Sequence, residues 1–449
     1  MGDEGKPMAE LAGRLVAAVA SGDAAAVREL LADGADADTV GADGLPVLCA
    51  AVAVFASETA EALVEGGADP DRVLPDGTTA LLRAVEGGSP ATVEAVLGQD
   101  ARLRLPEDGR RRLLDVARRW YGAGAEPELR RLTGARGPVR AATVQDSTYD
   151  RVEEVTLGGR TVRAGHGAVL TLLEWEFRIL APVEELVARA VRHGDEDHVD
   201  WSASCRVLGQ RASAEAWTQV VEFHRHPGRL HRLFAAGFLR MMTIGTAHVS
   251  WYEKRRVAVL TGWAETEQDG GVLSRVLDAL TAETSAGARA LGLRHAGHAD
   301  PRVRMQVPYL FEDALDDETA RVVRALGRDP HAGVRGAVAD RLQGEVLRDG
   351  DREVVLALLR DGDRLVRESA AHAAARSPDR SPEITEALVE LLDAEEQDVR
   401  LSAAYGLAWR DDPRTPGAYA KVGPLGPEAA YDHRVDALWR WRSRNEPAG

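Results

Sequence analysis

Three groups of histidines stand close enough along the chain to suggest a metal centre: His193 with His198, His224 with His226 and His231, and His295 with His298. A zinc site needs three or four ligands converging at about 2.0–2.3 Å, helped by spacings that put them on one helix face. Pro227 interrupts the run at 224–231 at an expected inter-helix turn, and no cysteine accompanies any of the groups. Turn or surface histidines are therefore expected, with no metal and no cofactor. Two acidic runs, Asp195-Glu196-Asp197 and Asp316-Asp317-Glu318, sit just before expected helices. There negative charge is stabilising in itself, which explains them without general acid–base work. The sequence contains no G-x-x-x-x-G-K-[ST], no G-x-S-x-G and no H-E-x-x-H, so no residue is assigned a catalytic role. Cys49 and Cys205 are 156 positions apart inside apolar patterns, which makes them two buried thiols rather than a disulfide framework.

Arginine offers a different chemistry. Arg110, Arg111, Arg112, Arg118 and Arg119 crowd beside Trp120 and Tyr121, a mixture enriched where proteins bind one another. Residues 1–101 hold 5 basic against 18 acidic residues, a net of −13, whereas residues 102–140 hold 11 arginines against 5 acids, a net of +6. A basic stripe in a chain of net charge −16 steers an acidic partner. The competing expectation is that these arginines face solvent or pair with Glu107, Asp108 and Asp115. The acidic balance disfavours a broad nucleic-acid or membrane surface.

These residues must be held by helices. The chain of 449 residues is 45% hydrophobic but only 5% aromatic, and its Ala, Leu, Val, Arg and Glu content favours helices packed through small side chains. All but three of its basic residues are arginine, the lysines being Lys6, Lys254 and Lys421, a bias typical of a GC-rich bacterial genome. The start, MGDEGKPMAE, lacks a basic leader region, and no apolar run reaches the roughly 18–20 residues of a membrane helix. A soluble cytoplasmic protein is expected.

The helices come in repeats. Asp43-Gly44 recurs 33 residues later as Asp76-Gly77 and, one residue short, as Asp108-Gly109, while GGADPD at 66–71 echoes DGADAD at 33–38. Each unit reads as a turn, a short apolar helix and a second helix ending at glycine. Gly34 and Gly67 stand where a left-handed cap is needed; Asp43 and Asp76 stand where a turn residue bonds its own backbone. These units resemble the ankyrin repeat, a β-turn followed by a helix opening Thr-Pro-Leu-His-x-Ala and a second helix ending Leu-Leu-x-x-Gly-Ala-Asp. The matches are LPVLCAA at 45–51, TTALLRAV at 78–85 and VRELLADGADAD at 27–38, with Leu48 and Leu81 replacing the family's histidine.

A second refrain follows: DPRVRMQVPYLF at 300–311, HAGVRGAVADRL at 331–342, DRLVRESAAHAA at 363–374 and EQDVRLSAAYGL at 396–407. Its arginines, Arg304, Arg335, Arg367 and Arg400, step by 31, 32 and 33 residues. Amphipathic segments lie between them. The series resembles HEAT-like repeats, in which a second helix opens with Val-Arg after an acid-bearing turn. Asp300, Asp363 and Glu396 are placed to accept from free N–H groups at the helix start, and each arginine to bridge a neighbouring repeat's acid. Segments 195–209, 226–239 and 252–265 read as decayed second helices, and YDHRVDALWRWR at 431–442 as a cap closed by Trp439 and Trp441. TYDRVEEVTLGGRTVRAGHG at 148–167 fits two short strands around Gly158-Gly159 and equally a loop.

The expected fold is all-α: an ankyrin-like domain at 9–134, a linker with a β-hairpin at 135–180, and a HEAT-like α-solenoid at 181–449. Within the solenoid, 181–280 is degenerate, 285–410 clear and 411–449 the cap. Both resemblances imply a non-catalytic scaffold whose partner is another protein. A HEAT-like enzyme of the bilin lyase, hydroxylase or DNA glycosylase kind is the alternative, with Trp201, Trp217, Trp251 and Trp263 the only hint of a pocket. Nucleic-acid binding along the HEAT groove is a third reading, set back by the acidic balance.

Overall fold

Asp43 and Asp76 fold back onto their own turns: Oδ1 of Asp43 accepts the Leu45 amide at 3.0 Å and that of Asp76 the Thr78 amide at 2.9 Å. Gly44 and Gly77 follow at φ +78° and +74°, in the left-handed region that glycine enters without strain. These turns seed the first array in a computed structural model that describes residues 5–242, 250–281, 286–311, 315–426, 429 and 431–445. Met1 to Glu4, read above as lacking a basic leader, and the side chain of Trp251 lie outside the described residues. The chain forms two compact units, Met1–Met241 and Met242–Gly449. Among the described residues no helix is long and apolar enough to cross a membrane.

In the first unit, helices Val47–Ala53 and Ser57–Glu65 form one hairpin and Ala80–Gly87 and Pro90–Leu97 the next, preceded by the pair Gly5–Ser21 and Ala24–Ala32. Leu48, Leu63, Leu81, Val85 and Val93 are at most 1% exposed. Each hairpin presses its apolar face onto the next. Repetition stops at the third Asp-Gly. Asp108 and Gly109 lie inside helix Glu107–Ala123 and make no turn, because an acidic first turn followed by Arg and Leu at helical spacing outweighs the local turn signal.

Residues 135–180 are no free linker. Strands β1 (Arg140–Gln145), β2 (Arg151–Leu157) and β3 (Arg160–Arg163) make an antiparallel sheet in that order. Gly158 and Gly159, at φ +62° and +79°, close β2 onto β3 with Leu157 opposite Arg160, the conformation a two-residue hairpin demands. The sheet docks on the last ankyrin hairpin. Buried Asp146 accepts from the Ser89 hydroxyl at 2.6 Å and the Ala91 amide at 2.9 Å, and Arg163 ties it down at 2.8 Å. One hydrophobic core accordingly runs from Leu15 through Val155 and Val162 to Phe177. Helices His166–Glu176, Val183–Val191, Val199–Gln210, Ala214–Glu222 and Arg229–Met241 complete the unit, bolted by the fully buried Arg189 to Glu174 at 2.8 Å. The two units thus part at Met241, inside the stretch 181–280 expected to be degenerate solenoid.

In the second unit the helices alternate. Second helices Gly270–Leu280, Pro301–Gln306, Ala332–Arg341, Arg364–Arg376, Gln397–Trp409 and His433–Asn445 stack one on the next. Segment 252–265 therefore belongs to a first helix, Ser250–Ala264, and the decayed second helix is Gly270–Leu280, capped by Asp269 through the amides of Gly271 and Val272 at 2.9 Å. Small residues let the stack close. A Cβ on Gly406 would stand 3.0 Å from Leu388 and 3.6 Å from the Ala371 carbonyl. Trp441 is buried at 7% exposure, but Trp439 is 67% exposed and closes nothing.

The refrain arginines form a ladder. Arg304 grips Asp329 at 2.6 and 2.9 Å, Arg335 grips Asp361 at 2.7 Å twice, and Arg367 grips Glu396 at 2.9 Å twice. Each also donates to two carbonyls of its own inter-helix turn, as Arg335 does to Asp329 and Pro330 at 2.9 and 3.2 Å. Arg400 repeats the turn contacts but donates onward to the carbonyls of Lys421 and Val422. Asp300 and Asp363 cap the following helices. Glu396 makes no side-chain cap, because its longer side chain is taken up by Arg367. Hydrogen bonding to Arg304 and Arg335 holds Asp329 and Asp361 below the usual carboxylate range.

Arg335→Ala strands the nearly buried Asp361 carboxylate and should cost about 2 kcal/mol, lowering the melting midpoint by roughly 4–8 °C at neutral pH. Since the folded pKa of Asp361 is depressed, this stabilisation is present above the unfolded value of about 3.9 and is lost as pH falls through the folded one. Melts of wild type and variant should converge below that pH, and a gap independent of pH would contradict the ladder's role.

Candidate functional site

The ankyrin turns project Val40 and Val73, 33 positions apart and 48% and 74% exposed. Asp36, Asp38, Asp43, Asp69, Asp71 and Asp76 share these turns with Arg72. Consecutive turns are tied together: the Asp69 amide donates to Asp38 at 3.1 Å, and its carboxylate accepts from Asp71 at 2.9 Å. Arg104 pairs with Asp71 at 3.0 Å and Arg83 with Asp76 at 2.8 Å. The Thr78 hydroxyl and amide, with Arg83, hold Asp76 down at about 2, so it is ionised at any physiological pH. Among the described residues, Asp36, Asp38, Asp43 and Asp69 have no ion-pair partner. The result is a row of acids with an apolar residue at each tip. Its apolar members escaped the sequence reading because Val40 and Val73 lie outside the Asp-Gly motif, although their spacing equals the repeat.

The basic cluster divides: Trp120 is buried, whereas Arg111, Arg112, Arg118 and Arg119 stay exposed. Trp120 is 1% exposed and stacks on His166 at 4.8 Å with an interplanar angle of 3°, which removes it from any surface. Arg110 donates to the carbonyls of Arg102 and Leu105, Arg111 pairs with Asp108, and Arg112 reaches the Gly77 carbonyl at 3.1 Å. Arg118 contacts Glu174 at 3.4 Å, and Arg119 contacts Glu128 at 2.8 Å. Glu128 is 2% exposed and its pKa is lowered, first by Arg131 and then by Arg119. Tyr121 lies half-buried under Arg192, whose guanidinium sits 4.4 Å from the ring centre and donates to the Tyr121 carbonyl at 2.7 Å. Arg112 thus ties helix Glu107–Ala123 to the second Asp-Gly turn, and Arg118, Arg119 and Arg192 tie it to the helices that follow.

Trp120, Tyr121, Glu153, His166, Arg192 and His193 also line a cavity of about 240 Å³. Burial pushes His166 down to about 4, so it is neutral. Behind the cavity, His193, His198 and Asp200 bring potential ligand atoms within 4.8 Å of one another. The donor set does not suit an ion. Nδ1 of His198 accepts the Asp200 amide at 3.1 Å, which places the proton on Nε2 and leaves no lone pair for a metal. The His193 ring lies stacked on it, 3.8 Å between centroids, and points Nε2 at Asp200 at 3.4 Å. The same device recurs at the other two groups: His226 accepts the Gly228 amide and His298 the Asp300 amide, each at 3.0 Å. These histidines cap turns.

Cys49 and Cys205 are buried with raised thiol pKa values, burial being the main cause for each. Trp201, Trp217 and Trp263 are at most 5% exposed and belong to the packing. A zinc site of micromolar affinity saturated a hundredfold would raise stability by about 2.7 kcal/mol. Zinc added to the chelator-treated protein should leave its melting midpoint unchanged, and a saturable rise that His198→Ala removes would contradict the turn-cap assignment.

Comparison with known proteins bears on the arrays. A family model for ankyrin repeats, in three copies, matches residues 15–105, and one for HEAT repeats matches residues 352–418. No curated protein matches the sequence. Among solved structures, the Escherichia coli protein YibA is 17% identical, with 58% of this chain and 93% of that one covered at a TM-score of 0.43. An engineered protein is 19% identical, with 51% and 99% covered at a TM-score of 0.27. The chain is thus an all-α helical-repeat protein that carries ankyrin repeats at residues 15–105 and HEAT repeats at residues 352–418.

Proposed function

We propose that this chain is a non-catalytic cytoplasmic adaptor whose ankyrin turns hold a basic segment of another protein. Ankyrin and HEAT repeats generally serve as protein-interaction scaffolds. The observation that carries the finer reading is the row of exposed tips, Val40 and Val73, set among aspartates of which Asp36, Asp38, Asp43 and Asp69 have no ion-pair partner among the described residues. Apolar anchors fix such a complex, and the surrounding charge selects and steers a partner of opposite sign. Two buried free thiols suit a reducing compartment. The arginines of helix Glu107–Ala123, each already in contact with a carbonyl or carboxylate of its own unit, offer a second surface that the turns do not need.

Deleting the ankyrin part would open the core it shares with residues up to Phe177, so the test uses point substitutions at exposed positions. Full-length protein and the Val40→Arg/Val73→Arg variant serve as bait in the native host's lysate. Both should melt alike. A partner captured by wild type should be lost at least about tenfold by the variant and should elute as salt rises through 0.5 M. A partner held equally by both baits would rule out the turns as the recognition element.

A further inference from the structure

Helices Thr415–Val422 and His433–Asn445 both pack on Gln397–Trp409, and between them lies a groove of about 310 Å³ lined by Pro416, Tyr419, Val435, Leu438, Trp439 and Trp441. Its floor is built: Leu438 and Trp441 are 3% and 7% exposed. Its walls are not covered. Tyr419 is 43% and Trp439 67% exposed, and an indole left in water on a helix otherwise rich in charge marks a contact site.

The rim has a sign. Helix His433–Asn445 carries Arg434, Arg440, Arg442 and Arg444 against Asp436 alone, in a chain whose net charge is −16. Arg434 is held inward by Asp432, Ser402 and Asp398. Arg440 leans on Asp436 at 2.8 Å and Arg444 lies 3.7 Å from Asp411, with all four side chains more than three-fifths exposed. Such solvent-screened pairs exchange readily for a partner's carboxylates. Helix Gln397–Trp409 is itself packed by helix His433–Asn445.

We propose that this groove is a docking site for an acidic amphipathic helix of another protein. Its apolar residues, spaced i, i+3, i+4 and i+7, enter between Tyr419 and Trp439 while flanking carboxylates meet Arg440, Arg442 and Arg444. The site is separate from the ankyrin turns and of opposite charge. It does not depend on the reading given to them.

The test uses the full chain and two fluorescein-labelled helical peptides with the same Leu and Phe at those positions, one carrying Glu elsewhere and the other Lys. Fluorescence anisotropy should show saturable binding of the Glu peptide and at least about tenfold weaker binding of the Lys peptide. Trp439→Ala and Arg440→Glu/Arg442→Glu should each weaken the Glu peptide about tenfold with unchanged melts, while Val40→Arg/Val73→Arg should leave it unaffected. Equal binding of both peptides, no binding of either, or binding that survives Trp439→Ala overturns the proposal. So does sedimentation showing that wild type self-associates and Trp439→Ala does not, since the face would then join two copies of this chain.

Discussion

A helical hairpin of some twenty residues has more apolar surface than it can cover by itself, and the folding free energy of this chain comes from pressing each hairpin against the next. In the ankyrin part the pressed residues are Leu48, Leu81 and Val85. In the HEAT part they are Val334, Val338, Val355, Leu358, Ala370 and Ala374. Burial of this kind is non-directional, so it attracts hairpins without fixing their register. The polar links supply that: Asp38 to the Asp69 amide between ankyrin turns, and Arg304, Arg335 and Arg367 to the next repeat's acid in the HEAT series. Each arginine also satisfies two carbonyls of its own turn. One side chain thus closes a hairpin and sets its neighbour.

Satisfying the stack from within leaves its outer edges available for recognition. In the first unit the edge is a run of turns shaped by aspartates, and their side chains carry charge outward while their oxygens hold the backbone. In the second unit the exposed edge is a groove with aromatic walls and an arginine rim. The same residue types serve opposite ends in the two places. Arg118 and Arg119 reach the buried carboxylates Glu174 and Glu128, whereas Arg440 and Arg444 meet only acids as exposed as themselves.

What could be read from the sequence was what is local or periodic. Asp-Gly turns, Gly34 and Gly67 at φ +95° and +97°, and the Val-Arg refrain are set by neighbours a few residues away and repeated. The β2–β3 hairpin was legible through Gly158-Gly159. Strand β1 was not, because it is exposed along nearly its whole length and carries no alternation. Asp108-Gly109 matched a turn by type, but its helical context prevailed. Glu396 matched Asp363 by position but is one methylene longer, enough to reach Arg367 instead of its own helix. The fate of the arginine cluster depended on partners far along the chain, such as Glu174, 56 residues from Arg118, and the reach of β1–β3 onto the last ankyrin hairpin was equally nonlocal. Trp439 and Trp441 are two residues apart and lie on different faces of one helix, which a cap assigned from composition alone could not separate.

Stability transmitted only between neighbours is the claim from which the rest follows, and native-state hydrogen exchange on the full chain tests it most directly. Leu358 is 1% exposed in helix Asp349–Leu359, and Leu358→Ala should remove about 2–5 kcal/mol of local packing. Amide protection should fall most in Asp349–Leu359 and Arg364–Arg376, less in the hairpins on either side, and not at all in residues 15–105. A uniform loss of protection along the whole chain, or a loss confined to the mutated helix with neighbouring hairpins untouched, would contradict the account.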